Sequence, residues 1–313
     1  MKRTVLLLDC NYLCSVAKFV HKDLSCEEQM TGVIFGFFCE LRKYLLLFKP
    51  EVLVFAWDSF SKLRKATYPE YKDNRKIYLC TSDEGSREGG IDGGITSQRS
   101  SFAREMKKAE LEYNKIAYEQ FDLLREELIP ALGFKNNFIV EGMEADDILA
   151  WIVLQVRECD HIIVSSDNDL YQLLDHCKMY SPVKKQLLDR NWFEAKYGLP
   201  TCRQWAQVKT LAGCAGDNIR GIEGIGIKTA VKYLRGDLSA TTKAFQNISD
   251  NIVWAMDTIL PLVFLPHQEM PDLNVDMGAF SASENAFLRM CNRFDFVSFT
   301  RDYKKWKEVL RLC

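Results

Sequence analysis

Apolar residues in this chain come largely in short unbroken runs, and three of those runs lead into aspartate. Val5-Leu6-Leu7-Leu8 precedes Asp9, Val52-Leu53-Val54-Phe55 precedes Asp58, and Ile162-Ile163-Val164 precedes Asp167 and Asp169. Runs without polar alternation predict strands covered on both faces, as in a parallel sheet flanked by helices. Ligands of such sheets lie beyond the carboxyl ends of the strands, so three strands would gather their acids at one edge. Two carboxylates about 4 Å apart repel by roughly 4 kcal/mol at an effective dielectric of 20, so a cluster of them needs a cation. The pattern predicts a divalent-metal site.

Between these strands the spacing predicts a helix over about 27–48 and another resuming near Phe102, stopped by Pro130 and Gly133. Phe138-Ile139-Val140 reads as a further strand, and Glu144-Ala145-Asp146-Asp147 opens a helix, where acids are also favoured by the helix dipole. An extended segment is expected near 178–188. From about residue 201 the chain reads as mainly helical. Residues 80–101 carry five of the 17 glycines among Ser, Thr and charged residues, a composition that predicts a mobile insert. The expected fold class is α/β: a mainly parallel sheet flanked by helices, with a predominantly helical C-terminal region. We expect a first part over 1–200 and a second over 201–313, packed together.

At 313 residues and 27% charged, the composition suits an ordinary globular protein. No apolar run approaches the ~18 residues of a membrane span, and the apolar run after Met1-Lys2-Arg3 is too short for a secretory signal. Eleven cysteines without CxxC or zinc-finger spacing suit reduced thiols in a cytoplasm. The net charge of −2 conceals a division. With eight acids assigned to one site, 35 of the 43 remain against 41 Lys and Arg, which suits a metal enzyme acting on a polyanion.

Those eight acids are Asp9, Asp58, Glu144, Asp146, Asp147, Asp167, Asp169 and Asp217. Histidine is scarce near them, so all-oxygen ligation points to Mg²⁺, with Mn²⁺ able to replace it. A second feature is the run from Gly213 to Ala230, in which Gly221, Gly224 and Gly226 precede Lys228 between two expected helices, over 205–211 and 227–234. Glycines there permit close backbone approach, and unpaired amides at the start of the second helix suit a phosphate. A third is the basic segment 61–76, with Arg64, Lys72 and Arg75 beside Tyr68 and Tyr71. Such a segment can hold phosphates while its rings stack on bases.

Together, six strings resemble the 5′-nuclease, or flap endonuclease, family, particularly its compact bacterial and bacteriophage members. They are Leu8-Asp9-Cys10-Asn11, Ala56-Trp57-Asp58, the stretch Tyr68-Pro69-Glu70-Tyr71-Lys72 with Asn74-Arg75, Glu144-Ala145-Asp146-Asp147, Ser166-Asp167 with Asp169, and Gly216-Asp217-Asn218-Ile219 continuing to Gly221, Gly224 and Gly226. The likeness runs from Leu6 to about Leu234, and 283–289 is similar to the family's closing helix.

The resemblance implies a two-metal phosphodiesterase for DNA junctions and 5′ flaps, acting as a monomer in a bacterial or phage-infected cytoplasm. It implies that Asp9, Asp58, Glu144 and Asp146 hold one metal and that Asp167, Asp169 and Asp217 hold a second, with Asp147 serving either through water. Lys72 and Arg75 would be catalytic residues of a helical arch over about 60–128, with 80–101 as its crown. Arg64 and Tyr71 would contact DNA there. Arg220, Gly221, Gly224, Gly226 and Lys228 would form a helix-hairpin-helix on the duplex backbone, where family members often also bind K⁺. Such contacts read shape rather than bases. One departure is Cys214, which stands where many relatives carry aspartate and predicts a weaker second metal site. A PIN-type ribonuclease and a catalytically silent DNA-binding protein are the competing readings. The first usually lacks the glycine hairpin, and the second gains nothing from clustered acid.

Overall fold

The computed structural model describes residues 2–27, 29–74 and 96–313, with side chains of the last stretch described from residue 105. In chain order the first elements are β1 (Arg3–Asp9), α1 (Cys10–Val20), β2 (Ser25–Cys26), β3 (Gln29–Met30), α2 (Gly32–Phe48), β4 (Val52–Trp57) and α3 (Lys62–Thr67). Then come α4 (Thr96–Leu123), a π turn, α5 (Ile129–Ala131), β5 (Asn137–Ile139), α6 (Ala145–Gln155), β6 (Cys159–Val164), β7 (Lys178–Ser181), β8 (Gln186–Leu188) and α7 (Arg190–Tyr197). The remainder is α8 (Gln204–Ala212), β9 (Gly213–Cys214), β10 (Ile219–Arg220), α9 (Ile227–Leu234), α10 (Lys243–Thr258), α11 (Leu260–Val263), α12 (Glu284–Arg293), α13 (Val297–Arg301) and α14 (Tyr303–Leu310).

The main sheet has the order β5-β4-β1-β6-β7-β8, parallel except for β7 with β8. Every residue of β4 is buried, as its unalternated sequence requires. The chain moves outward from β1 to β4 and β5, then returns to place β6 on the other side of β1. Open parallel sheets bind their ligands beyond the carboxyl ends of the strands where such a reversal occurs, here at β1 and β6.

Two apolar cores cover the sheet faces, and both join early and late parts of the sequence. One packs Leu6, Leu8 and Phe37 with Phe287, Trp306 and Leu310. The other packs Val5, Val54 and Ile148 with Trp205, Ile222 and Ile248. The division expected near residue 200 therefore falls inside shared cores, and α12–α14 return onto the N-terminal half.

Several expected boundaries are corrected. The helix expected over 27–48 begins at Gly32, after the β2–β3 hairpin, and α1 precedes it unanticipated. Cys10, Cys14 and Ala17 form much of the buried face of α1. Gly36 is required where the helices meet, since a Cβ there would lie 2.6 Å from the Ala17 methyl. Residues 96–101, expected within the mobile insert, belong to α4. The rest of that insert up to residue 95, and Arg75, lie outside the described residues. At the buried end of α4, Gln120 accepts hydrogen bonds from the Val33 and Ile34 amides, which satisfies first-turn donors of α2. Among the described residues, no helix is long and apolar enough to cross a membrane.

Candidate metal centre

β1 and β4 are in register, with Asp9 opposite Ala56, so Asp58 follows two residues further along the same edge. β6 pairs Val164 with Leu8, and the chain then turns through Ser165 and Ser166 to Asp167. Asp9 ends its strand and caps α1, its Oδ1 accepting the Tyr12 amide at 2.9 Å and its Oδ2 the Ser165 hydroxyl at 2.8 Å. Asp58 accepts the Ala145 amide at 2.8 Å, which fixes the start of α6 against β4. Asp167 caps the next turn by accepting the Asp169 amide at 2.9 Å.

Burial, followed by the charge of Asp58, raises the pKa of Asp9 to about 7. Burial and then Asp167, Asp9, Asp58 and Glu144 hold Asp146 well above the usual carboxylate range. Asp9, Asp58, Asp146 and Asp167 therefore form one electrostatic group. The charges of Asp58 and Asp167 act on Asp9 and Asp146, and a divalent cation would relieve that repulsion.

Beside it lies a second group. Single ligand atoms of Asp169, Cys214 and Asp217 all fall within 4.8 Å of one another, an arrangement able to hold a metal ion. Lys209, on α8, places its Nζ 2.6 Å from Asp169 and 3.3 Å from the Cys214 sulfur. Burial and Asp167 raise the Asp169 pKa to about 6 against the opposing pull of Lys209. Burial, then the charge of Asp169, pushes the Cys214 thiol to about 12. The thiol is neutral at ordinary pH and donates towards Asp217 at 3.4 Å. Oxygen donors dominate both groups, which suits Mg²⁺ or Mn²⁺, whereas a neutral thiol is a poor ligand for either.

Glu144 sits between cations. Burial alone would raise its pKa, but Lys72 and Arg64 more than offset that and hold it at about 2. Lys72 Nζ lies 2.5 Å from Glu144 and 3.7 Å from Asp217. Ser61 and Tyr71 also donate to the Glu144 carboxylate.

The basic segment and α6 bring three corrections. Asp147, expected near a metal, is fully buried, receives Arg64 through both carboxylate oxygens at 2.6 and 2.8 Å, and accepts the His267 amide. Both Asp147 oxygens are thus engaged by Arg64, and one also by the His267 amide, within the fold. Arg64, expected on DNA, is 2% exposed and also donates to the Leu262 carbonyl. Tyr71, expected to stack on a base, is 2% exposed and packs with Cys214, Ile219 and Leu262.

The glycine hairpin separates into two kinds of position. Gly213 and Gly221 press backbone against backbone, since a Cβ on Gly221 would stand 2.3 Å from the Gly213 nitrogen. Gly221 is thus needed for packing. Gly224, at φ +74°, and Gly226 face open space, and Gly226 caps α9 without a side chain. Arg220 and Lys228 are exposed nearby in sequence. Sequence reasoning missed Lys209, whose signal was a lone charge between Val208 and Leu211 in an apolar helical pattern, and it missed Ser61 and Ser165.

A family model describing the 5′-3′ exonuclease N-terminal resolvase-like domain matches residues 4–198. DNA polymerase I of Deinococcus radiodurans is 42% identical over 111 residues, covering 34% of this chain and 11% of the polymerase. DNA polymerase I of Caldicellulosiruptor bescii is 27% identical over 255 residues, covering 78% of this chain and 25% of the polymerase. This chain thus matches about a quarter or less of the length of these polymerases. Among solved structures, the bacteriophage T5 5′-exonuclease with bound zinc ions superposes with a TM-score of 0.63 at 21% identity, covering 84% of this chain and 90% of that one. A T5 flap endonuclease complexed with DNA and metal ions gives 0.60 with the same identity and coverage. These likenesses establish the fold.

Proposed function

We propose, from the premise that this chain belongs to the 5′-3′ exonuclease family through its N-terminal resolvase-like domain, that it hydrolyses DNA phosphodiester bonds near 5′ ends and 5′ flaps. The observation that carries this reading is the register of β1 with β4 and β6, which brings Asp9, Asp58 and Asp167 to one sheet edge, with Asp169, Cys214 and Asp217 clustered within 4.8 Å of one another. Asp9, Asp58 and Asp146 would hold one divalent cation, Asp169 and Asp217 a second, and Asp167 would stand between the two sets. Bound Mg²⁺ or Mn²⁺ would supply Lewis acidity for attack by water and for departure of the leaving oxygen.

The chain's own residues prepare the site. Tyr12 and Ser165 orient Asp9, and the α6 amide of Ala145 orients Asp58. Lys72, beside Glu144 and Asp217, is placed to meet a phosphate drawn to the same acids through their cations. Arg75 is retained as its companion. Gly224, Gly226, Lys228 and Arg220 offer amides and charge to a duplex backbone, with K⁺ at the hairpin carbonyls as part of the same proposal. Recognition would then follow DNA shape. A monomer in the cytoplasm, with an arch across α3 and α4, completes the reading.

The test is a labelled 5′-flap duplex run beside blunt and gapped duplexes, with Mg²⁺ or with chelator. Cutting near the flap junction that requires Mg²⁺ is expected. Retention of DNA without cutting under both conditions would leave a binding protein in place of a nuclease.

A further inference from the structure

The segment just before residue 75 is tied to the glycine hairpin by backbone and side-chain bonds that together immobilise Lys72. The Lys72 amide donates to the Asp217 carbonyl at 2.8 Å. On one side of that bond, the Asn74 carboxamide donates to the Ala215 carbonyl at 3.0 Å. On the other, the Asn218 carboxamide donates back to the Glu70 carbonyl at 2.8 Å. Each segment thus supplies one asparagine to the other's backbone, with Lys72 between them.

Backbone conformation reinforces the tie. Lys72 has φ +56° and Asn218 has φ +57°, both in the left-handed region that most side chains avoid. Asparagine tolerates that region better than most residues, so position 218 uses its conformational latitude and its carboxamide together. The same turn, Ala215 to Asn218, runs directly into β10 and the hairpin at Gly221–Gly226. Asn247 on α10 braces the hairpin from its far side, donating to the Glu223 carbonyl at 2.7 Å. The hairpin and Lys72 are therefore joined by short, directional bonds.

We propose that Asn74 and Asn218 form a reciprocal latch that sets the position of the Lys72 ammonium according to the placement of the duplex-gripping hairpin. They are positioning residues, acting through Lys72 rather than on the reacting phosphate. This rests on the nuclease reading for its consequence in rate, while the mechanical coupling is independent of it. The latch makes duplex engagement a condition for correct placement of Lys72, a source of structure specificity separate from the metal ligands.

The variants are Asn218→Gly, which keeps the left-handed turn and removes the carboxamide, Asn218→Asp, which keeps size and replaces the donor, and Asn74→Ala at an exposed position. Two readouts are taken on the full chain. Amide hydrogen exchange at Lys72 is compared with and without an unflapped duplex, and single-turnover cleavage of a 5′-flap duplex is compared with duplex affinity. In the parent chain, duplex should slow exchange at Lys72. Each variant should lose that response and cleave on the order of 10–100-fold more slowly, with duplex affinity unchanged. Asn218→Asp should fail as Asn218→Gly does. If a variant at 218 does not fold, Asn74→Ala carries the same comparison. A parent-like exchange response in the variants, or affinity falling in step with rate, overturns the latch. A parent chain whose Lys72 amide responds to duplex but which cuts no flap overturns the nuclease reading alone.

Discussion

The two acid groups differ in what surrounds them. Around Asp9 and Asp146 burial comes first in driving both values upwards, and the neighbouring charges that raise them further are other carboxylates. Around Asp169 and Asp217 the protein supplies ammonium groups of its own, from Lys209 and Lys72. The first group stores repulsion that a divalent ion relieves. The second already has part of that relief built in, and Cys214 supplies a thiol among its acids. The first should therefore bind a cation more tightly, and the second should be the site whose occupancy depends on cation concentration.

The largest effect expected on this comparison is at Asp146. Asp146→Asn should lower the cleavage rate on the order of 10³-fold, while raising the melting temperature of the metal-free protein at neutral pH because a buried carboxylate no longer has to be either charged or held protonated. A stability loss instead would mean that the carboxylate has a structural partner. Next is the buried pair that carries no cation chemistry. Arg64→Met leaves Asp147 as an uncompensated charge and should cost about 3–5 kcal/mol in denaturant unfolding. A cost near zero would break the assignment of Arg64 and Asp147 to the fold.

These two expectations also mark what the sequence made legible. The strands could be read because apolar runs without alternation have few other uses, and their terminal acids came with them. The Arg64–Asp147 pair could not be read, since its members lie 83 positions apart and each also fitted a functional role. Tyr71 looked like a stacking ring because its neighbours in sequence are charged, yet its burial depends on Cys214, Ile219 and Leu262, contributed from far along the chain. Helix α1 was hidden because thiols occupy core positions that leucine or valine more often fills. Composition and period describe local structure; charge pairing across distant segments is decided only when they meet.

A smaller effect is expected from pH. Asp9 titrates at about 7 in the fold against an ordinary 3.8, so between those values the folded protein keeps a proton that the unfolded chain has lost. Metal-free stability should thus rise as pH falls from about 8 to about 5, with Asp169, at about 6, adding the same sign. Glu144, held at about 2 against an ordinary 4.5, contributes in the opposite sense, and that contribution is lost only as pH falls below about 4.5. With saturating Mn²⁺ the trend between about pH 8 and 5 should invert, because protons then compete with the bound ion. Thermal unfolding across pH, with and without Mn²⁺, separates the cases. If the slope has one sign in both, the first group is not a cation site.

The smallest effect concerns the second group. Cys214→Asp adds a carboxylate beside Asp169 and Asp217 and should reduce the Mg²⁺ concentration for half-maximal cleavage roughly tenfold, equivalent to about 1.4 kcal/mol. An unchanged requirement would show that Lys209, rather than the thiol, limits that position.

The most direct test of the account is anomalous diffraction from crystals soaked in Mn²⁺. The predicted result is a strong peak among Asp9, Asp58 and Asp146 close to Asp167, and a second, weaker peak beside Asp169 and Asp217 that strengthens with Mn²⁺ concentration. Peaks confined to other surfaces, with the acids at the β1 and β4 ends unliganded at saturating Mn²⁺, would contradict it.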